Sequence, residues 1–244
     1  MIKYTTDFKP TLNGYLHLGH LYLMKINEEE AHRSGGQFGI ILDSQRYWNW
    51  VDSPEQRKGY FEVMLKDLEW AGIKYDFLTS IDEQMPTINY LLEHEFHYTP
   101  EPEFFGYSEF PEVVGLDCTW YPYTDELTCH KVISDSLKGV NWCIRGWDLI
   151  TEVNHYTYYT HKFRLPLVRQ TLIPRLKFEG DFISKTIGNL KLKDFRERGA
   201  DAKEVLEHLS IDCLMPYKLG WLVDNILLPQ PHVGSWVKDY GFEL

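Results

Sequence analysis

Positive charge is what this sequence has too little of. Among 244 residues, 25 Lys and Arg stand against 36 Asp and Glu, a formal net charge of −11. That balance excludes a general basic surface for nucleic acid, so an RNA partner would have to be met by a local stripe. Long apolar runs are missing too: no stretch approaches the ~18 residues that a membrane helix needs. No basic stretch followed by an apolar core stands at the N-terminus, so no secretory leader is expected. The resulting expectation is a soluble, cytoplasmic protein. Cysteine is scarce: Cys118, Cys129, Cys143 and Cys213 form no CxxC pair. Their irregular spacing argues for reduced structural thiols and against zinc, and no metal ligands are assigned. Internal repeats and low-complexity tracts are also lacking.

Apolar material is abundant. Hydrophobic residues make up 43% and aromatics 15%, enough for one sizeable core, or one domain with a small satellite. Ile2 to Phe8 reads as a strand, Pro10 to Gly14 as a turn, and Leu18 to Ala31 as a helix stopped by Ser34-Gly35-Gly36. Phe38 to Leu42 is a continuous apolar run ending at Asp43, the pattern of a buried parallel strand. Pro54 opens a helix to Trp70, closed by Ala71-Gly72. Lys74 to Leu78 reads as a strand and Met85 to Phe96 as a short helix. This alternation is that of a doubly wound, Rossmann-like α/β fold with a parallel sheet. Tyr98 to Thr124, with Pro100, Pro102, Pro111 and Pro122, reads as an irregular insertion. Leu127 to Ile133 and Val140 to Ile144 read as strands, Asp148 to Phe163 as a helix, and Leu172-Ile173-Pro174 as a final edge strand. Lys191 to Arg198 and Ala202 to Leu209 read as helices. The expected organisation is a first half-core over 1–97, a shortened insertion over 98–124, a second half-core over 125–189 and a C-terminal helical segment over 190–244.

Chemistry concentrates in Asn13-Gly14-Tyr15-Leu16-His17-Leu18-Gly19-His20, between the first strand and the first helix. Glycine admits a close backbone approach, and a helix N-terminus favours anions. Imidazole N–H groups placed there can stabilise charge on a phosphate in a transition state. The segment resembles the first signature of class I aminoacyl-tRNA synthetases, in the form used by the glutamyl and glutaminyl branch. Phe182-Ile183-Ser184-Lys185-Thr186 is similar to the second, KMSKS-like signature. Further segments agree in order: Lys66 to Ile73 with "LxWLGI", Val132 to Val140 with "VVDDxLxGV", Ile144 to Leu149 with "IRGEDL", and Phe195 to Leu209 with the "RERG…EAVLNYL" helices.

The resemblance implies ATP and Mg²⁺ as co-reactants and an amino acid or related carboxylic acid as substrate, activated as its adenylate and passed to tRNA or another acceptor. It implies ATP contacts from Pro10, Gly14, His17, Gly19, His20, Ile183, Ser184 and Lys185, with His17, His20 and Lys185 acting on the phosphates. It places Asp7, Asp43, Leu127, Arg145, Trp147 and Asp148 around the substrate. Several of these depart from the branch. Asp7 stands where an arginine holds the substrate acid, an anion expected to repel a glutamate side chain. Leu127 replaces a tyrosine, Trp147 a glutamate, and His155-Tyr156 an Arg-Gln pair. The insertion is far shorter than the acceptor-stem module, and no anticodon-binding segment is visible. In that last respect the chain is similar to the stand-alone synthetase that modifies a queuosine base on aspartate tRNA. Two other readings remain open: a nucleotidyltransferase sharing the HxGH signature, and a non-catalytic synthetase paralogue. His94 and His97 read as an exposed polar helix face rather than as metal ligands, and the run Trp147, Tyr156, Tyr158, Tyr159 and Phe163 as either core or a stacking surface.

Overall fold

Apolar runs bounded by turn residues become short parallel strands in the computed structural model, which describes residues 2–44, 53–98, 122–174, 176–178, 181–183, 190–209 and 235–240. β1 (Thr6–Phe8), β2 (Phe38–Leu42) and β3 (Phe77–Ser80) pair in parallel in the order β1-β2-β3. Thr6 lies opposite Phe38, and Gly39 opposite Phe77. β4 (Trp142–Gly146) pairs in parallel with β5 (Arg169–Ile173). The Asn141 and Trp142 amides both donate to the Thr5 carbonyl, at 3.1 and 3.3 Å, so β4 enters beside β1. The strands therefore follow the order 3-2-1-4-5, with the chain reversing direction across the sheet between β1 and β4. That reversal is the topological switch point, where open α/β sheets leave a crevice beyond the carboxyl ends of their strands.

The helices follow from capping and apolar spacing. α1 (Leu18–Arg33) buries Leu18, Leu21, Tyr22, Met24 and Ile26 against the sheet. α2 (Pro54–Trp70) starts with Ser53 in a reciprocal capping box with Gln56 and with Pro54 in its first turn, both strong helix-start devices. α3 (Ile81–Tyr90) has the same box from Ser80 and Glu83 and continues into a π-helical turn over Leu91–Glu95. α4 (Pro122–Leu137) and α5 (Ile150–Lys162) flank β4, with a 3-10 turn over Trp147–Leu149 between β4 and α5. A small antiparallel pair, β6 (Lys177–Phe178) and β7 (Asp181–Phe182), follows β5. α6 (Leu192–Glu197), α7 (Ala202–Leu209) and a 3-10 turn over Ser235–Tyr240 complete the described chain.

Two expectations are corrected. Leu127 to Ile133 is not a strand but the middle of α4. Its buried Cys129, Val132 and Ile133 recur three to four residues apart, a helical period that the intervening His130 and Lys131 disguised as alternation. The helix also reaches back into the expected insertion, since Pro122 to Thr124 belong to it; 99–121 lies outside the described residues. Leu172 and Ile173 end β5, with Pro174 just beyond it, and β5 is not the last strand, because β6 and β7 follow. Boundaries also move. The first strand keeps only Thr6–Phe8 of Ile2 to Phe8, the third shifts to Phe77–Ser80, and α3 begins at Ile81 rather than Met85.

Two segments distant in sequence lock together. The Arg196 guanidinium bonds the buried Asp67 carboxylate at 3.1 Å, and the Trp70 indole N–H donates to the Ala200 carbonyl at 3.1 Å. α6 is thereby held on α2. Among the described residues no helix is long and apolar enough to cross a membrane.

Two glycines give opposite expectations. A Cβ on Gly36 would lie 1.9 Å from the Tyr4 carbonyl oxygen, a backbone atom that cannot swing away. Gly59, inside α2, meets nothing within 4 Å. Gly36→Ala should lower unfolding free energy by about 1–3 kcal/mol, while Gly59→Ala should raise it by about 0.5–1 kcal/mol. Urea titration of the two variants checks both signs.

Candidate active site

Two histidines cap α1 with each other. The His17 Nδ1 accepts from the Gly19 amide at 3.1 Å, and the His20 Nδ1 accepts from the His17 amide at 3.2 Å. Together they form a reciprocal capping box, the usual Ser/Glu arrangement built from imidazoles. Their rings stack at 3.8 Å between centroids and 25° between planes. Because each Nδ1 accepts a backbone proton, the neutral rings carry theirs on Nε2. Two Nε2–H donors are thus fixed at the positive end of a 16-residue helix, a place suited to an anion. A Cβ on Gly19 would be tight, 3.0 Å from the His17 Cε1 and 3.1 Å from its Nδ1, so the imidazole would have to shift by a few tenths of an ångström.

Residues 190–192, downstream of the second signature in sequence, are tethered to the first. Ile183 is buried and donates its amide to the Leu176 carbonyl at 3.0 Å. The Leu18 amide donates to the Leu190 carbonyl at 3.0 Å, and the Leu192 amide to the Leu16 carbonyl at 2.9 Å. His17 and Lys191 face each other in an antiparallel bridge. Ser184 and Lys185 lie outside the described residues. Lys191 was missed in the sequence, although the alternation Leu190-Lys191-Leu192-Lys193, with both leucines buried, is a strand-like signal. Opposed residues of a bridge share a face, so Lys191 projects on the His17 side, its Nζ 5.8 Å from the Tyr15 ring centroid.

A buried network of charges fills the seam between β1 and β4. The Lys9 ammonium bonds the Asp7 carboxylate and, at 2.5 Å, that of Asp135. Lys131 pairs with Glu152 at 3.2 Å and Asp43 at 3.8 Å. Arg145 pairs with Glu152 at 2.8 Å and Asp135 at 3.8 Å. The Tyr156 hydroxyl donates to Asp135 at 2.8 Å, and the Cys143 thiol lies 3.6 Å from the same carboxylate. Thr11 donates to Asp43 at 3.2 Å, and the Ser44 amide does so at 2.9 Å. Burial would push the Lys9 and Lys131 ammoniums toward neutrality. The carboxylates outweigh it, Asp135 and Asp7 for Lys9 and Asp43 and Glu152 for Lys131, and both stay protonated more firmly than an ordinary lysine. Burial acts against the Glu152 carboxylate too, yet Lys131 and Arg145 hold its pKa down at about 2. Burial pushes the Cys143 thiol up to about 12, leaving it un-ionised. Asp7, Asp135 and Cys143 would bring three ligand atoms within 4.8 Å of one another, but the Lys9 ammonium bonds both carboxylates, so these residues do not fit a metal ion.

The expected substrate residues distribute unevenly around this network. Asp7, Asp43 and Arg145 belong to it. Asp7 is not an anion offered to a ligand, however: it is buried and answered by Lys9, which corrects the expectation of a simple repulsive charge. Leu127 is half-buried on α4, one turn before Lys131 and two before Asp135, on the face that carries both. Trp147 is half-buried and Asp148 exposed in the turn after β4. The Asp148 carboxylate folds over Gly146, 2.5 Å from where a Cβ would stand. Pro10 is buried and receives the Asp43 amide on its carbonyl at 3.1 Å, and Gly14 is half-buried in the turn before His17. Lys9, Lys131, Asp135 and Glu152 were not read as site residues; Tyr156 was, with His155, as the replacement of an Arg-Gln pair near the substrate. For Lys131 and Asp135 on α4, and Glu152 and Tyr156 on α5, the sequence signal was a spacing of four, legible on α4 only once it is known to be a helix. Tyr156, Tyr159 and Phe163 pack in the core, while His94 and His97 are exposed.

Comparison with known proteins fits this geometry. Residues 3–100 match the family described as tRNA synthetases class I (E and Q), catalytic domain. A glutamate–tRNA ligase of Nitrosopumilus maritimus is 36% identical over 84 residues, covering 34% of this chain and 14% of that protein. A glutamyl-Q tRNA(Asp) synthetase of Synechococcus is 33% identical over 73 residues, 30% of this chain and 23% of its own length. The match thus spans under a quarter of either relative. The glutamate–tRNA synthetase structure from Elizabethkingia anophelis aligns with a TM-score of 0.56 at 14% identity, over 76% of this chain and 53% of that one. The tyrosyl-tRNA synthetase structure from Aeropyrum pernix aligns at 0.53 and 12% identity, over 78% and 56%. The likeness is one of fold: a Rossmann-like α/β core similar to that of these synthetase structures.

Glu152 supplies a pH test of the network. Its pKa is lowered from 4.5 to about 2, so its stabilisation is complete above pH 4.5 and is lost as pH falls from there toward 2. Glu152→Gln should cost about 3 kcal/mol at neutral pH. The gap between wild type and variant should close as pH falls through that window, measured by urea unfolding at a series of pH values.

Proposed function

We infer that this chain, whose fold is similar to that of a glutamate–tRNA synthetase and whose residues 3–100 match the class I (E and Q) catalytic-domain family, is an ATP-dependent ligase that activates an amino acid as its adenylate. The observation that supports this reading is the histidine pair at the start of α1, with residues 190–192 hydrogen-bonded beside it. The stacked His17 and His20 cap α1, and Leu190 and Leu192, which follow the second signature in sequence, are hydrogen-bonded onto Leu18 and Leu16.

In the reaction the substrate carboxylate attacks the α-phosphate of ATP in line, forming a carboxyl–phosphate bond as the bond to pyrophosphate breaks. The protein supplies position and charge rather than a nucleophile. The His17 and His20 Nε2–H groups donate to phosphate oxygens as negative charge grows on them. Lys185 accompanies the departing pyrophosphate, and Mg²⁺ enters with the nucleotide, as ATP chemistry generally requires. Gly14 and Gly19 allow the nucleotide to approach the backbone, Ser184 and the Ile183 backbone flank it, and Pro10 holds the turn. Asp43, fixed by Thr11 and the Ser44 amide, orients the substrate ammonium. The acyl group then passes to a tRNA end or another nucleophile in the cytoplasm.

ATP–pyrophosphate exchange across a panel of amino acids, with and without bulk tRNA, tests the reading. Exchange should occur with one acid and fall roughly 10²–10³-fold in His20→Ala and Lys185→Ala. No exchange with any acid under either condition would reject it.

A further inference from the structure

Each cation at the seam between β1 and β4 is already shared between two carboxylates. Lys9 bridges Asp7 and Asp135, Lys131 bridges Asp43 and Glu152, and Arg145 bridges Glu152 and Asp135. Four carboxylates therefore face three cations, all seven side chains at most 16% exposed. Burial and the nearby Asp7 charge lift the Asp135 carboxyl above the ordinary aspartate range. With that proton on, the network is neutral; with it off, the network is negative. In neither state does it carry surplus positive charge. The network also stands at the carboxyl ends of β1 and β4, at the switch point where this sheet type receives its ligand.

From this accounting, and resting on the synthetase reading above, we propose that the substrate is an amino acid whose side chain is neutral or cationic, and that dicarboxylic amino acids are excluded. A side-chain carboxylate entering the seam would lose its hydration and would have to take a cation from an existing buried pair. That would leave an uncompensated buried carboxylate, a heavily destabilised arrangement. A neutral amide has no such requirement, and a cationic group meets a network of the opposite or no net charge. Asp7 is central to the selection. By engaging Lys9, it removes the cation nearest the β1 end from use by a ligand.

The test is binding, which needs no turnover. Stable sulfamoyl analogues of the aminoacyl adenylates are titrated calorimetrically into the full chain, using the near-isosteric pairs glutamyl/glutaminyl and aspartyl/asparaginyl together with lysyl and arginyl. At least one neutral or cationic analogue should bind ten-fold or more tightly than either acidic one. Asp7→Asn, which retains shape while releasing Lys9, should narrow that gap by raising the affinity of the acidic analogues. The proposal is overturned if the glutamyl or aspartyl analogue equals or exceeds every other. It is equally overturned if no aminoacyl analogue binds better than the parent sulfamoyl adenosine. Selective binding without ATP–pyrophosphate exchange would reject catalysis while leaving the selectivity in place, so the two readings fail separately.

Discussion

The Lys9 ammonium between Asp7 and Asp135 is the contact on which the rest depends. β1 and β4 are sequentially remote, and their meeting places Asp7 and the α4 residue Asp135 in one buried space. Two carboxylates so placed would repel strongly in a medium of low polarity. Lys9 removes that repulsion, and Arg145, Glu152 and Lys131 extend the compensation to Asp43 at the end of β2. Such networks are costly to desolvate and contribute little net stability compared with an apolar core. Their presence here, at the strand ends that border a crevice, agrees with a role in selecting a ligand.

The histidine pair shows the same economy from the other side. N-caps are ordinarily Ser, Thr, Asp or Asn, residues with a short oxygen acceptor. In α1 the acceptor is an imidazole nitrogen, and the partner at the third helical position is a second imidazole. Using Nδ1 for the cap fixes the ring and directs the remaining proton to Nε2. One set of hydrogen bonds therefore both ends the helix and orients the two donors that the proposed chemistry uses.

Much of this was legible in the residues. Phe38–Leu42 and Pro54–Trp70 were read with their observed limits, because a continuous apolar run and a Ser-Pro start are strong local signals. The NGYLHLGH segment could be placed before α1 for the same reason. α4 was not legible: its apolar residues Cys129, Val132 and Ile133 are interrupted by His130 and Lys131, which are themselves buried. Buried charged residues defeat a hydrophobic pattern, and misreading the helix hid the alignment of Leu127, Lys131 and Asp135. Asp7 was read as an unanswered negative charge although Lys9, which answers it, stands two residues on; that the same Lys9 also meets Asp135, more than a hundred residues away, was not legible. Pairings of that kind are set by the sheet order and have no local sequence signal.

The central claim is that the paired histidines serve formation of an acyl-adenylate. Hydroxylamine trapping reads that intermediate without requiring the natural acceptor. With ATP, Mg²⁺ and the preferred amino acid, the chain should release AMP and form the amino-acid hydroxamate in equal amounts, and His20→Ala should suppress both together. AMP release without hydroxamate, or hydroxamate formation undiminished in the variant, would contradict the account.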